Sequence, residues 1–145
     1  GVLVSIKGTT DQNLQENTQS KMTILDQIEA LKMFVEAGID IYPCMYNPDA
    51  GHMREYMKKM ENIFENFLLK TRVFPTKIYG PTEERLKNIA KKEDMEPGVV
   101  LNWFSRKWRI NYIRACEILD QMLQERYGLR YKEVERPGIK ISLKE

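Results

Sequence analysis

The sequence predicts an α/β protein built on a parallel sheet. Strand-like apolar runs begin near residues 2, 39 and 71. Helical periodicities fill the gaps between them. The resulting spacings of about 37 and 32 residues suit successive βα units. With 42% hydrophobic and 30% charged residues in 145, the chain can bury a core, which excludes an acidic disordered tail and a collagen-like rod. No apolar run reaches the roughly 18 residues of a membrane span, and no basic segment followed by an apolar one opens the chain as a secretory signal would.

Each element has a local reason. Val2–Ile6 is continuously apolar and ends at Lys7-Gly8-Thr9-Thr10, so it reads as a strand buried on both faces. Leu25, Ile28, Leu31, Phe34 and Val35 lie at helical spacing within Thr23–Ala37, and Gly38 follows as the C′ residue. Ile39–Met45 reads as a second strand, closed by the turn-like Asn47-Pro48-Asp49-Ala50-Gly51. Met53, Met57, Met60, Phe64, Phe67 and Leu68 mark a second amphipathic helix, its methionines serving as adaptable core. A third strand starts at Arg72-Val73-Phe74 and runs toward Ile78-Tyr79-Gly80. Pro81-Thr82-Glu83-Glu84 then opens a helix, with the carboxylates at its positive end.

Asp94–Gly98 divides the chain into an expected βα domain, 1–93, and a C-terminal module, 94–145. In the module, Val99–Trp108 and Tyr112–Tyr127 read as helices separated by a turn at Arg109-Ile110-Asn111. Leu129–Glu135 and Ile139–Leu143 read as strands of a hairpin joined at Arg136-Pro137-Gly138. Helix, helix, hairpin is the order of a winged helix. Net charge is only +2, yet residues 101–145 carry ten Lys and Arg against six Asp and Glu.

Metal and triad chemistry find little support. Two distant cysteines, Cys44 and Cys116, form neither a disulfide framework nor a zinc pattern, and they read as reduced thiols of a cytoplasmic protein. The single histidine, His52, sits between a loop and a helix and reads as a surface residue. No metal ligands are assigned. Parallel α/β folds bind ligands at the carboxyl ends of their strands. Those ends fall at Ser5–Thr10, Cys44–Asn47 and Thr76–Tyr79. Ser5 and Lys7 are two residues apart and share one side of their strand, where a hydroxyl and an ammonium suit a carboxylate or phosphate.

The stretches VSIKGTTDQNLQENTQ, ILDQIEALKMFVEAGIDIYPCMYNPD and RVFPTKIYGPTEERL resemble the second half of the radical S-adenosylmethionine barrel, strands four to six of a partial TIM-like (βα)6 fold. Archaeal-type Fe–S oxidoreductases of that family are similar at all three, and the resemblance covers residues 1–90. It implies that Ser5 and Lys7 contact the amino-acid part of S-adenosylmethionine, with Asn47, Thr76 and Lys77 toward the substrate. It also implies the family's chemistry, in which one electron from a [4Fe–4S] cluster yields a 5′-deoxyadenosyl radical that abstracts a substrate hydrogen.

The chain departs from that family at defined points. The cluster-binding CxxxCxxC loop is absent, so cluster and S-adenosylmethionine are expected only in a longer, full-length protein. Gln19 rather than Gly follows Thr18, and Asp40–Tyr42 lacks the basic residue that some members carry. The chain opens directly in an apolar run with no initiating Met, as the interior of a longer polypeptide would. Val2–Ile6 is therefore expected to pair with a missing N-terminal half or a partner subunit.

LNWFSRKWRINYIRACEILDQMLQERYG is similar to the winged helix of septal DNA translocases. That resemblance implies Arg106, Lys107, Arg109 and Arg114 on phosphates and Asn111 or Tyr112 at base edges, within a nucleic-acid surface spanning 99–143. The competing reading makes the same segment a helical cap over the barrel end, with Trp103, Trp108 and Tyr112 as packing. Three functions stand at this point: part of a radical enzyme, a DNA-binding module, or a βα scaffold without chemistry that pairs with a partner.

Overall fold

The chain begins with strand β1 (Val2–Ile6), and the computed structural model describes every residue from Gly1 to Glu145. Helices α1 (Asp11–Thr18) and α2 (Ile24–Glu36) lead to β2 (Ile41–Tyr46). A short 3-10 turn at Ala50–His52 opens α3 (Met53–Ile63), followed by β3 (Phe64–Glu65), α4 (Phe67–Lys70) and β4 (Arg72–Phe74). Helices α5 (Gly80–Lys92) and α6 (Pro97–Tyr127) come next, then 3-10 turns at Tyr131–Glu133 and Arg136–Gly138, and finally β5 (Ser142–Leu143).

Strands β1, β2 and β4 form a parallel sheet in that order, as the βα spacing predicts. The sheet is open. Val4, Ile6, Ile41, Met45 and Val73 alternate onto one face and join the core with the inward residues of α2 and α3. Met53, Met57 and Met60 are wholly buried there, so the methionine stripe is core. On the opposite face the register sets Ser5 beside Cys44 and Cys44 beside Arg72, with Tyr46 beside Phe74. That face is polar and partly open. Leu3 is 69% exposed, so β1 is buried on one face and not on both.

Helix α1 escapes the periodicity reading because it is almost wholly polar, with Leu14 its one buried apolar side chain. Capping makes it a helix: Thr10 accepts the amide of Asn13 at 3.1 Å. Helix α2 opens with a capping box between Thr23 and Asp26. The third strand stops at Phe74 because Pro75 has no amide to continue the ladder, so 75–79 is irregular.

The C-terminal half differs from the helix–turn–helix–hairpin expectation. Residues 97–127 form one unbroken helix, with Pro97 in its first turn and Gly128 left-handed (φ 66°) beyond its end. Arg109-Ile110-Asn111 contains neither Gly nor Pro, and nothing there interrupts the backbone ladder. The hairpin is also absent. The Arg136 guanidinium donates to the carbonyls of Lys70 (2.8 Å) and Pro43 (3.2 Å), and that of Arg72 donates to the Val134 carbonyl. These bonds hold 129–139 against the sheet, and β5 pairs antiparallel with β3 instead. Ala115, Leu119, Met122, Leu123, Val134 and Ile141 belong to the same core as the βα residues. The break expected at Asp94–Gly98 is thus a turn between two packed helices, and one core crosses it. No helix is long and apolar enough to cross a membrane.

Candidate functional site

The carboxyl ends of β1 and β2, together with the segment after β4, open into a cleft of about 690 Å³ roofed by α5 and α6. All five residues expected at the cofactor and substrate sides line it: Ser5, Lys7, Asn47, Thr76 and Lys77.

Lys7 is positioned by its backbone. Its amide donates to Gln27 Oε1 at 3.1 Å, and its carbonyl accepts from Asn17 Nδ2 at 2.6 Å. Gln27 is buried and in turn donates to the Tyr56 hydroxyl at 3.1 Å. Burial pushes the Tyr56 phenol well above its ordinary range, so it serves as a neutral partner. The Lys7 ammonium lies 4.7 Å from the centre of the Tyr46 ring, and that ring stacks on Phe74. The next residue, Gly8, is required by packing. A Cβ there would sit 2.5 Å from the Leu14 amide nitrogen, inside the first turns of α1.

Asn47 lines the cleft and is held there by its own hydrogen bonds. Its backbone is left-handed (φ 48°), a region asparagine tolerates. Its side chain donates to Asn17 Oδ1 at 3.0 Å and accepts from Asn111 Nδ2 at 3.1 Å. Asn13 and Asn17 both donate to its carbonyl. Asn47 therefore ties α1, β2 and α6 together and shapes the wall of the cleft.

Thr76 stands out for the opposite reason. Its hydroxyl is buried and has no hydrogen-bond partner. A buried unpaired hydroxyl costs about 1–3 kcal/mol, which a ligand group can recover.

Several lining residues lay outside the sequence expectation. Arg85 and Lys92 come from α5, Phe104 and Trp108 from α6, and Glu16 is the one carboxylate on the lining. Thr82, Arg85, Ile89 and Lys92 recur at i, i+3, i+7 and i+10, which puts them on one helical stripe. That spacing was the available signal. Which way the stripe faces is set by α6, whose continuity through 109–111 the sequence does not announce.

The residues assigned to nucleic acid are not brought together as a recognition-helix start, because no second helix begins there. Asn111 points inward, where its oxygen accepts the Ala50 amide at 3.2 Å and its nitrogen donates to the Pro48 carbonyl. Tyr112 packs half-buried against the core beside Cys116, and burial raises both its phenol and the Cys116 thiol. Arg109 lines a smaller hollow behind Thr76. Arg106 and Arg114 are exposed, while Lys107 lies over the Trp103 ring at 5.0 Å. His52 stands on the surface just before α3 without a capping hydrogen bond, its ring 2.8 Å from Asp49. Cys44 is buried in β2 and Cys116 half-buried on α6, both as free thiols.

No family model, curated protein or solved structure matches the chain. The geometry of the cleft therefore carries the functional reading.

Proposed function

We propose that this chain is the carboxyl-terminal part of a radical S-adenosylmethionine iron–sulfur oxidoreductase, half of a partial (βα)6 barrel. Ser5 and Lys7 hold the amino-acid end of the cofactor, and Thr76 and Lys77 face the substrate. One observation carries the reading: these four residues, from two distant parts of the chain, meet in one cleft at the carboxyl edge of a parallel sheet.

The residues fit S-adenosylmethionine. Lys7 is free of carboxylate partners and suits the cofactor's carboxylate, and Glu16 suits its ammonium. They do not fit an iron–sulfur cluster, because the two cysteines lie on different elements and no three His, Cys, Asp or Glu side chains converge. A cluster loop would belong outside this chain. S-adenosylmethionine supplies radical hydrogen abstraction when bound and reduced. The chain's own residues bind it, orient it and keep water out.

The same reading accounts for the free edge of β1. That strand pairs only with β2, and its outward Leu3 is largely exposed. A further parallel strand, from a preceding segment or a partner subunit, would cover both.

The test is formation of 5′-deoxyadenosine by the protein purified anaerobically from its native source. Replacing Lys7 by Ala is expected to cut it at least about tenfold, the loss of one charge-assisted contact. A natural coding sequence without a three-cysteine loop, or unchanged turnover in both Lys7→Ala and Ser5→Ala, ends the reading.

A further inference from the structure

We propose that the α5–α6 side of the cleft takes an acidic small molecule, one that joins a phosphate or carboxylate to a planar ring. Arg85 and Lys92 would hold the anion, and Phe104 and Trp108 the ring. The proposal rests on the cleft being a ligand site and adds the chemical class of the molecule beside the cofactor.

Charge is the first argument. Five charged side chains line the cleft: Lys7, Lys77, Arg85, Lys92 and the single carboxylate Glu16. The cleft thus holds a net +3, more than the +2 of the entire chain. None of its four cations forms an ion pair. Within α5, Arg85 and Lys92 on the lining have no acidic partner, as is true of Lys91 off it, while Lys87 pairs with Glu83 at 3.2 Å. Like charges gathered in a cleft with low-dielectric walls raise the local concentration of anions.

Shape is the second argument. Arg85 and Lys92 are two helical turns apart, roughly 10 Å along the axis, a gap their two long side chains can close on one anion. Across from it the Phe104 and Trp108 rings, 5.6 Å apart and tilted 57° to each other, both line the cleft and offer apolar ring surface beside the cations. A volume of about 690 Å³ is that of a small-molecule site.

The probes are 2-naphthyl phosphate, 2-naphthoate and 2-naphthol, which share one ring and differ in charge. Binding to the full chain is read by tryptophan fluorescence and calorimetry. The phosphate is expected to bind at least about tenfold tighter than the neutral naphthol, with the preference shrinking as salt is raised. The Arg85→Gln/Lys92→Gln double variant, altered only at exposed positions, should lose that preference, whereas Lys87→Gln should keep it. Trp108→Leu should weaken all three probes. Tighter binding of the phosphate than of the carboxylate identifies a phosphorylated ligand, and the reverse identifies a carboxylic acid. Equal binding of naphthol and naphthyl phosphate, or an undiminished preference in the double variant, overturns the proposal. S-adenosylmethionine titrated separately reads the cofactor assignment, so the two can fail independently.

Discussion

Asn111, in the middle of α6, donates to the side-chain oxygen of Asn47 at 3.1 Å, across the seam between the long helix and the end of β2. The same amide group donates to the Pro48 carbonyl and accepts from the Ala50 amide. One side chain thus satisfies three groups of the loop that forms the cleft wall.

Replacing Asn111 by Ala should destabilise the protein by about 1–3 kcal/mol, because partners in a half-buried network are left unsatisfied. Asn111→Asp is the sharper variant. It keeps the shape but aims an anion at two carbonyl oxygens, so its loss should be at least as large. Denaturant midpoints at constant m-value measure both. A midpoint unchanged in Asn111→Asp would remove the donor role.

Gly8→Ala should cost about 2 kcal/mol or more, since the new Cβ meets backbone and not a mobile side chain. The strand end and α1 would have to separate, displacing Lys7 as well. Thermal melting measures the stability loss, and S-adenosylmethionine titration should show weaker binding in the same variant.

The βα half was legible because its signals are local and periodic. Val2–Ile6 and the Leu25–Val35 stripe each announce an element, and the distance between strands implies parallel pairing. Ser5 and Lys7 followed from strand alternation, and Thr76 and Lys77 from their place beyond the last strand. The C-terminal half was not legible in the same way. Arg109-Ile110-Asn111 reads as a turn between two helical stretches, yet it holds neither Gly nor Pro and its composition is as compatible with helix. The hairpin depended on Leu129–Glu135 finding a partner. Arg72 donates to the loop carbonyl of Val134 across 62 positions of sequence, and Arg136, within the loop, donates to the Lys70 carbonyl across 66; no local pattern encodes such bonds. Asn47 was found by position, but its bonds to Asn17 and Asn111, 30 and 64 positions away, were not legible.

Acid should weaken the fold through Asp40 and Asp120. The Lys70 ammonium bonded to Asp40 holds that carboxyl below its ordinary value, and the Tyr131 amide, at 2.8 Å, does the same for Asp120. A carboxylate with a depressed folded-state pKa contributes stability above its unfolded pKa and loses it as pH falls through the folded value. Both contributions are therefore full at neutral pH and fade below about pH 4. Asp120→Asn should flatten the acid limb of a stability–pH curve while lowering the neutral plateau. Asp40→Asn should do the same and cost more at neutral pH than Lys70→Met, because it leaves a wholly buried ammonium with no counter-charge, only a neutral amide oxygen and the Tyr42 ring, 3.9 Å away. An acid limb of unchanged slope in both Asn variants would contradict this assignment.

Thr76→Val should separate stability from binding. The Thr76 hydroxyl is buried without a partner, so the free protein pays for its desolvation and receives nothing in return. Valine has nearly the same shape and no such debt. Unfolding free energy should therefore stay level or rise by about 1 kcal/mol, against the usual direction for a buried substitution. Ligand affinity should move the other way, falling about five- to tenfold for a molecule that hydrogen-bonds there. Thermal melting with and without S-adenosylmethionine or 2-naphthyl phosphate measures both quantities on one sample. If the variant melts lower and binds as well as the parent, the hydroxyl is a packing group with a partner of its own. The cleft would then lose its one orphaned donor.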